Sequence, residues 1–153
     1  MSDLMCPARL ACLAGGDAAE LAAYRPVRVY RGPGAPSLTG AVDAPVEDVA
    51  GLADPGAAPR ETWLLDGDLD VPAGGGESGR QVLERYAAAL AEIAERHRGQ
   101  TVAVLAAGLD LPLASLCAGL PPSRVYASPL APGRVVLVEY DADGWRYLSG
   151  WPA

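Results

Sequence analysis

The chain has few of the residues that most often carry catalytic and metal-binding chemistry. Its 153 residues include one histidine, three cysteines and no phenylalanine. A single histidine excludes a multi-histidine metal site, and the cysteines (Cys6, Cys12 and Cys117) form no CxxC pair. We therefore expect no disulfide framework, no structural zinc and no cofactor, and a location in the reducing cytoplasm. Without phenylalanine, core volume has to come from Leu, Val, Trp and Tyr.

Positive charge and long apolar runs are also scarce. Twelve basic residues face 19 acidic ones, which gives a formal net charge of −7. Such a chain repels nucleic acid and anionic membrane surfaces, and the sequence contains no basic patch. No apolar run is long enough to cross a bilayer, and Met1 to Leu4 lack the basic and apolar regions of a signal peptide. We expect neither a nucleic-acid partner nor a membrane partner.

What the sequence does contain is an alternation of strand and helix patterns. The strongest is a helix from Glu77 to Arg98, whose apolar residues recur every three or four positions. Buried strands are predicted at Ala8 to Leu13 and Thr101 to Leu105, and a further helix at Leu109 to Leu120. The remaining predictions are strands at Val27 to Tyr30 and Thr62 to Leu65, weak helical character at Ser37 to Leu52, and a hairpin of strands Arg134 to Tyr140 and Trp145 to Leu148.

One segment of this pattern resembles a known family. Gly74-Gly75-Gly76-Glu77-Ser78, the long helix and the strand that leads into Ala106-Ala107-Gly108 are similar to the C-terminal half of a histidine phosphatase of the phosphoglycerate-mutase-like superfamily. In that family the strand ends in Ser-His-Gly, and the histidine lines the phosphate pocket. The resemblance implies one α/β domain over residues 1–153, in three αβα layers around a mixed, mostly parallel sheet, with a shortened cap region.

The resemblance also implies that the phosphatase groups are missing. The family's opening Arg-His-Gly-Glu corresponds to Ala14-Gly15-Gly16-Asp17, so glycine replaces the nucleophilic histidine and alanine a clamping arginine. A second arginine corresponds to Gly40, and the second histidine to Ala107. Phosphoryl transfer in this family needs the imidazole for attack and cations for the phosphoryl oxygens. We expect a degenerate member that is neither a phosphatase nor a mutase.

Three acidic residues are candidates for a new site. Asp17, Glu77 and Asp110 follow or precede segments that should converge at the carboxyl edge of the sheet, where α/β folds place their sites. They could act as general acid or base or bind an amine; alternatively, they are helix caps, and the sequence favours neither. The candidate substrate-binding residues around them are Gly15, Gly16, Ser78, Ala107 and Gly108.

Other chemically notable residues have simpler interpretations. His97 ends the long helix, where a cation suits the helix dipole, and the alternative is a displaced general base. The cysteines are expected to be small hydrophobic residues rather than nucleophiles. Trp145, Tyr147 and Trp151 are core or edge aromatic residues, or else an exposed interface patch.

The sequence is compatible with two functions. In the first, the pocket is repurposed for a neutral or cationic small molecule in a biosynthetic step such as cyclisation, elimination or group transfer. In the second, the chain is a catalytically silent subunit that stabilises or completes the site of a partner. A homodimer, or a heterodimer with a related subunit, is compatible with both.

Overall fold

A single mixed sheet organises the chain. The structure is a computed structural model and describes residues 6–14, 19–33, 35, 42–130 and 133–151. The predicted site residues Gly15, Gly16 and Asp17, together with Gly40, lie outside these ranges. The strands are β1 (Ala8–Leu13), β2 (Val29–Arg31), β3 (Val46–Asp48), β4 (Thr101–Leu105), β5 (Cys117–Ala118), β6 (Val136–Asp141) and β7 (Gly144–Ser149).

The seven strands lie in the order β3-β2-β4-β1-β6-β7-β5. Strand β1 pairs in parallel with β4 and antiparallel with β6, so that Leu10 lies between Val102 and Val138. Strands β2 and β3 extend the parallel part, and β7 joins β6 as the antiparallel hairpin that the sequence predicts. The mixed, mostly parallel α/β sheet is confirmed.

Helix α1 (Gly79–Arg96) is the longest element and begins at a defined cap. The Ser78 hydroxyl accepts the Gln81 amide hydrogen, and the Gln81 side chain accepts the Ser78 amide hydrogen, which forms a capping box. The apolar face of α1 is buried, as predicted. Just beyond its end, Gly99 has a φ of 78°, a left-handed conformation that stops the helix.

The region after β4 departs from the single predicted helix. Helix α2 (Asp110–Leu116) ends at Leu116, and Cys117 continues as the short strand β5 beside β7. A further helix, α3 (Pro122–Ala127), was not predicted; it begins with a proline at its first turn, where the missing N–H is not needed. The tertiary pairing with β7 thus outweighs the helical pattern beyond Leu116.

The middle of the chain corrects two further predictions. Residues Thr62 to Leu65 lie in a short π-helical turn, Glu61–Leu65, rather than in a strand. This turn buries Trp63, whose indole N–H donates to the Val71 carbonyl oxygen at 2.9 Å. Within the segment with weak helical character, the structure shows β3 and a 3₁₀ turn, Ala50–Leu52.

Both faces of the sheet are covered, by very different amounts of structure. Helices α1, α2 and α3 and the π-helical turn pack over one face, where side chains such as Leu10, Tyr30 and Val104 are buried. On the other face, Leu13, Val29 and their neighbours pack with the 3₁₀ helix Ala19–Tyr24. None of the helices in the described ranges is long and apolar enough to cross a membrane.

Candidate functional site

A cavity opens beyond the carboxyl end of β4, where the sequence predicts the site. Its volume is about 230 Å³. Three stretches of chain build its wall: the loop before the π-helical turn, that turn itself, and residues 107–111, which lead from the end of β4 into α2. The lining residues are Asp54, Pro55, Gly56, Ala58, Arg60, Trp63, Leu64, Ala107, Gly108, Asp110 and Leu111.

Tyr86 of α1 is hydrogen-bonded to Ala107, one of the residues that line the cavity. Its hydroxyl donates to the Ala107 carbonyl oxygen at 2.5 Å and also lies 3.1 Å from the Ala53 carbonyl oxygen. Burial raises the pKa of the Tyr86 phenol above its ordinary value. The phenol therefore acts as a hydrogen-bond donor, and it connects the segment after β4 to the segment that contains Ala53.

Gly108 occupies a tight position in the wall. Its φ of 72° lies in the left-handed region. A Cβ atom there would lie 3.0 Å from both Pro55 Cδ and the Tyr86 hydroxyl. Both the backbone conformation and the space thus require glycine next to Ala107.

Arg60 and Asp110 form an ion pair in the cavity wall. Nε and Nη2 of Arg60 donate to Asp110 Oδ2 at 3.2 and 2.9 Å, and Nη2 also donates to the Val125 carbonyl oxygen. The guanidinium lies 5.6 Å from the centre of the Tyr126 ring. Burial raises the pKa of the Asp110 carboxyl above its ordinary value, although Arg60 acts in the opposite direction.

Glu77 is held by a different arginine. Nε and Nη2 of Arg85 donate to its two carboxylate oxygens at 3.0 and 2.7 Å, and Nη1 of Arg85 donates to the Gly51 carbonyl oxygen. The hydrogen bonds from Arg85 lower the pKa of the Glu77 carboxyl. Glu77 is not the N-cap of α1, because Ser78 has that role.

The glycine run before α1 is fixed by backbone hydrogen bonds. The amide of Gly74 donates to the Ala57 carbonyl oxygen at 2.8 Å, and that of Gly75 to the Pro55 carbonyl oxygen at 3.0 Å. The run therefore holds in place the loop that supplies Pro55, Gly56 and Ala58 to the cavity.

His97 lies at the other end of α1 and does not line the cavity. Its Nε2 atom lies 2.6 Å from the buried Tyr30 hydroxyl, and its Nδ1 atom lies 2.8 Å from Gln100 Oε1. Both ring nitrogens are thus hydrogen-bonded at the end of the helix. This geometry fits a structural role at the C-terminal end of α1 better than it fits a displaced general base.

The aromatic residues near the C-terminal hairpin do not form an exposed patch. Trp151 is buried, its indole N–H donates to the Ser128 carbonyl oxygen at 2.7 Å, and its amide donates to the Tyr147 hydroxyl. Trp145 lies against Tyr140, with 4.6 Å between ring centres. The interpretation as core or edge aromatic residues is confirmed.

The two internal cysteines are buried, as predicted. Burial raises the pKa of the Cys117 thiol to about 12, and the Cys12 pKa is raised by the same cause. Neither thiol is a nucleophile at neutral pH. Among the residues that the structure describes, no cluster of His, Cys, Asp and Glu could hold a metal ion.

The structure brings only some of the predicted site residues together. Asp110, Ala107 and Gly108 share the cavity, whereas Glu77 and Ser78 lie at the start of α1 and are not among the described lining residues. Sequence reasoning missed Arg60 and Asp54. Both lie in a loop rich in proline and glycine, and nothing in the sequence indicates that Arg60 meets a carboxylate 50 positions later.

Comparison with known protein families gives a match over most of the chain. The model of the histidine phosphatase superfamily, branch 1, matches residues 51–150. No curated protein sequence matches the chain significantly.

Several solved structures resemble the chain over almost its whole length. A phosphoserine phosphatase mutant from Entamoeba histolytica, in complex with phosphoserine, is 12% identical, with a TM-score of 0.69 over 95% of this chain and 96% of that one. Native mycobacterial glucosyl-3-phosphoglycerate phosphatase is 17% identical, with a TM-score of 0.67 over 97% and 99% of the two chains. The α-ribazole phosphatase of Shigella flexneri is 14% identical, with a TM-score of 0.59 over 95% and 96%. At these identities, the likeness establishes the fold alone.

Proposed function

This chain belongs to the histidine phosphatase superfamily, and we propose that it has no phosphatase or mutase activity. Instead, the cavity beside Ala107 binds a small organic molecule, neutral or cationic, for a biosynthetic step such as cyclisation, elimination or group transfer. The step is carried out by the chain alone or within a complex. The observation that carries the proposal is a cavity beside Ala107, the residue that the resemblance matches to the family's second histidine, whose described lining contains no imidazole.

The charge of the lining supports this proposal. A phosphoryl group needs uncompensated cations around its oxygens. In the described lining, the one guanidinium belongs to Arg60 and is bound to Asp110, while Asp54 adds a second carboxylate. Carboxylates repel a phosphate dianion, most strongly where water is partly excluded.

The resemblance to the family also implies that the catalytic nucleophile is missing. The position of the family's nucleophilic histidine corresponds to Gly15, and that of its second histidine to Ala107. Neither residue type can be phosphorylated or donate a proton to a leaving group. In our proposal, Asp110 is the candidate catalytic carboxyl, since it lines the cavity and its pKa is raised.

Glu77 and Asp17 have less support than Asp110 as catalytic groups. Both carboxylate oxygens of Glu77 are bound to Arg85, which favours a structural role at the start of α1. Asp17 lies outside the described residues and remains a sequence-based candidate.

Hydrolysis of p-nitrophenyl phosphate tests the absence of phosphatase activity. We expect the purified protein, Arg60→Gln and Arg80→Gln to release nitrophenol no faster than buffer does. Arg80 is the control, since it pairs with the exposed Asp70 and does not line the cavity. Turnover that is lost in Arg60→Gln and kept in Arg80→Gln would contradict the proposal.

One observation favours the alternative of a silent subunit. Both candidate carboxylates within the described ranges, Glu77 and Asp110, are already paired with arginine, so that neither is a free base. A chain of this kind would complete the site of a related partner. A second protein that co-purifies in fixed stoichiometry, with the cavity empty, would identify this alternative.

A further inference from the structure

We infer that the ligand of the cavity beside Ala107 is a small primary amine with an apolar or aromatic body. This inference rests on the proposed function and names its ligand class. Three features of the cavity carry it: the kind of hydrogen-bonding groups left free, the balance of charge, and the character of the walls.

The side chains of the cavity offer mainly acceptors. Arg60 uses Nε and Nη2 on Asp110 Oδ2 and on the Val125 carbonyl oxygen, which leaves Nη1 without a partner among the described residues. Asp110 Oδ1 accepts no hydrogen bond from them. Asp54 uses Oδ1 on the Gly56 amide and leaves Oδ2 similarly free. The free carboxylate oxygens of Asp110 and Asp54 favour a ligand that supplies donors, and a primary ammonium supplies three.

The charge balance selects the same ligand. Among the described lining residues, Asp54 and Asp110 contribute two carboxylates against the single guanidinium of Arg60. A carboxylate ligand would have to share Arg60 with Asp110 and approach Asp54 as well. An ammonium ion would neutralise the excess negative charge, and hydrogen bonds between charged groups are the stronger ones.

The walls provide for an apolar body. Trp63, Leu64 and Leu111 are buried, and they line the cavity together with Pro55 and Ala58. The volume of about 230 Å³ is below the usual range for drug-sized ligands, which favours a compact molecule. An aromatic ring can pack against the Trp63 indole while the amine reaches the carboxylates at the wall.

Isothermal titration with three related probes tests the inference. The probes are 2-phenylethylamine, the neutral 2-phenylethanol and the anionic phenylacetate. We expect the amine to bind at least about tenfold more tightly than the alcohol, as is typical of a charged hydrogen bond, and phenylacetate to bind most weakly.

Substitutions then locate the binding. Asp110→Asn and Asp54→Asn should each weaken the binding of 2-phenylethylamine by about tenfold and leave the affinity for 2-phenylethanol unchanged. Asp54 is exposed, so its substitution keeps the test valid if Asp110→Asn proves unstable. Asp70→Asn is the matched control, because Asp70 is exposed and pairs with Arg80 away from the cavity. It should leave all three affinities unchanged.

The outcomes separate this inference from the proposed function. Equal affinity for amine and alcohol, or no binding of any probe, would overturn the amine assignment alone. Preference for phenylacetate would overturn it and would also contradict the neutral or cationic ligand of the proposed function. None of these results creates phosphatase activity, so the absence of turnover with p-nitrophenyl phosphate would still stand. Conversely, turnover that depends on Arg60 would overturn the proposed function itself, whatever the probes show.

Discussion

Gly108 is a residue of the cavity wall that is constrained by both its backbone conformation and its packing. Its left-handed φ and the short approach to Pro55 and Tyr86 are separate costs for any side chain. Gly67 provides a matched comparison, because its φ is 70° and a Cβ there would meet nothing within 4 Å.

We predict that Gly108→Ala destabilises the protein more than Gly67→Ala does. The left-handed conformation should cost about 1 kcal/mol at either position. Overpacking against Pro55 and the Tyr86 hydroxyl should add about 1–3 kcal/mol at Gly108 alone. Urea unfolding of both variants measures the difference in the free energy of unfolding. Equal losses would show that the wall yields to the added methyl group.

At the scale of residues, the sequence predicts identities and positions better than it predicts partners. The sequence predicts Asp110, Ala107 and Gly108 at the carboxyl edge of the sheet, and in the structure all three line one cavity. It does not predict that Arg60 binds Asp110, since that contact depends on how a loop 50 residues earlier folds back. The candidates Asp110 and Glu77 therefore have arginine partners that the sequence does not indicate.

At the scale of elements, the start of α1 joins a helix cap to an ion pair. Ser78 and Gln81 form the capping box, while Glu77 binds Arg85 two turns into the helix. Arg85 also donates to the Gly51 carbonyl oxygen, so that the ion pair connects α1 to the 3₁₀ turn Ala50–Leu52.

This ion pair predicts a pH dependence of stability. The pKa of Glu77 is lowered in the folded protein, so its stabilising contribution is present above the unfolded value of about 4.5 and is lost as pH falls through the folded value. We expect Glu77→Gln to cost about 0.5 kcal/mol at pH 7, as is usual for a partly exposed pair, and less at pH 3.

Denaturant unfolding at the two pH values measures this difference. The control is Glu61→Gln, since Glu61 is exposed and forms no ion pair with any described residue. Because this substitution breaks no ion pair with a described residue, its cost in the free energy of unfolding at pH 7 should be smaller than that of Glu77→Gln. If Glu77→Gln behaves like this control, the ion pair does not stabilise the start of α1.

The elements that the sequence predicts well are those with a strong local signal. Helix α1 was predicted at Glu77 to Arg98 and observed at Gly79–Arg96, because its apolar face and its cap agree. The π-helical turn Glu61–Leu65 was predicted as a strand, since a short apolar run does not distinguish the two. Its conformation follows from burial of Trp63 against the start of α1, which is a tertiary contact.

At the scale of the whole molecule, the sheet positions the cavity. The parallel strands β4 and β1 end at the same edge, and the loop and π-helical turn before α1 close over that edge to meet α2. Alternating strand and helix patterns predict the fold class. They do not predict the cavity, because its wall joins segments that are close only after the sheet has formed.

Native mass spectrometry of the protein purified from its own host tests the central claim most directly. We predict that the chain carries a small organic molecule without phosphate, held in the cavity beside Ala107. Asp110→Asn should lose this molecule and Asp70→Asn should retain it. A bound phosphate, or a stoichiometric partner protein with no small molecule on this chain, would contradict the account.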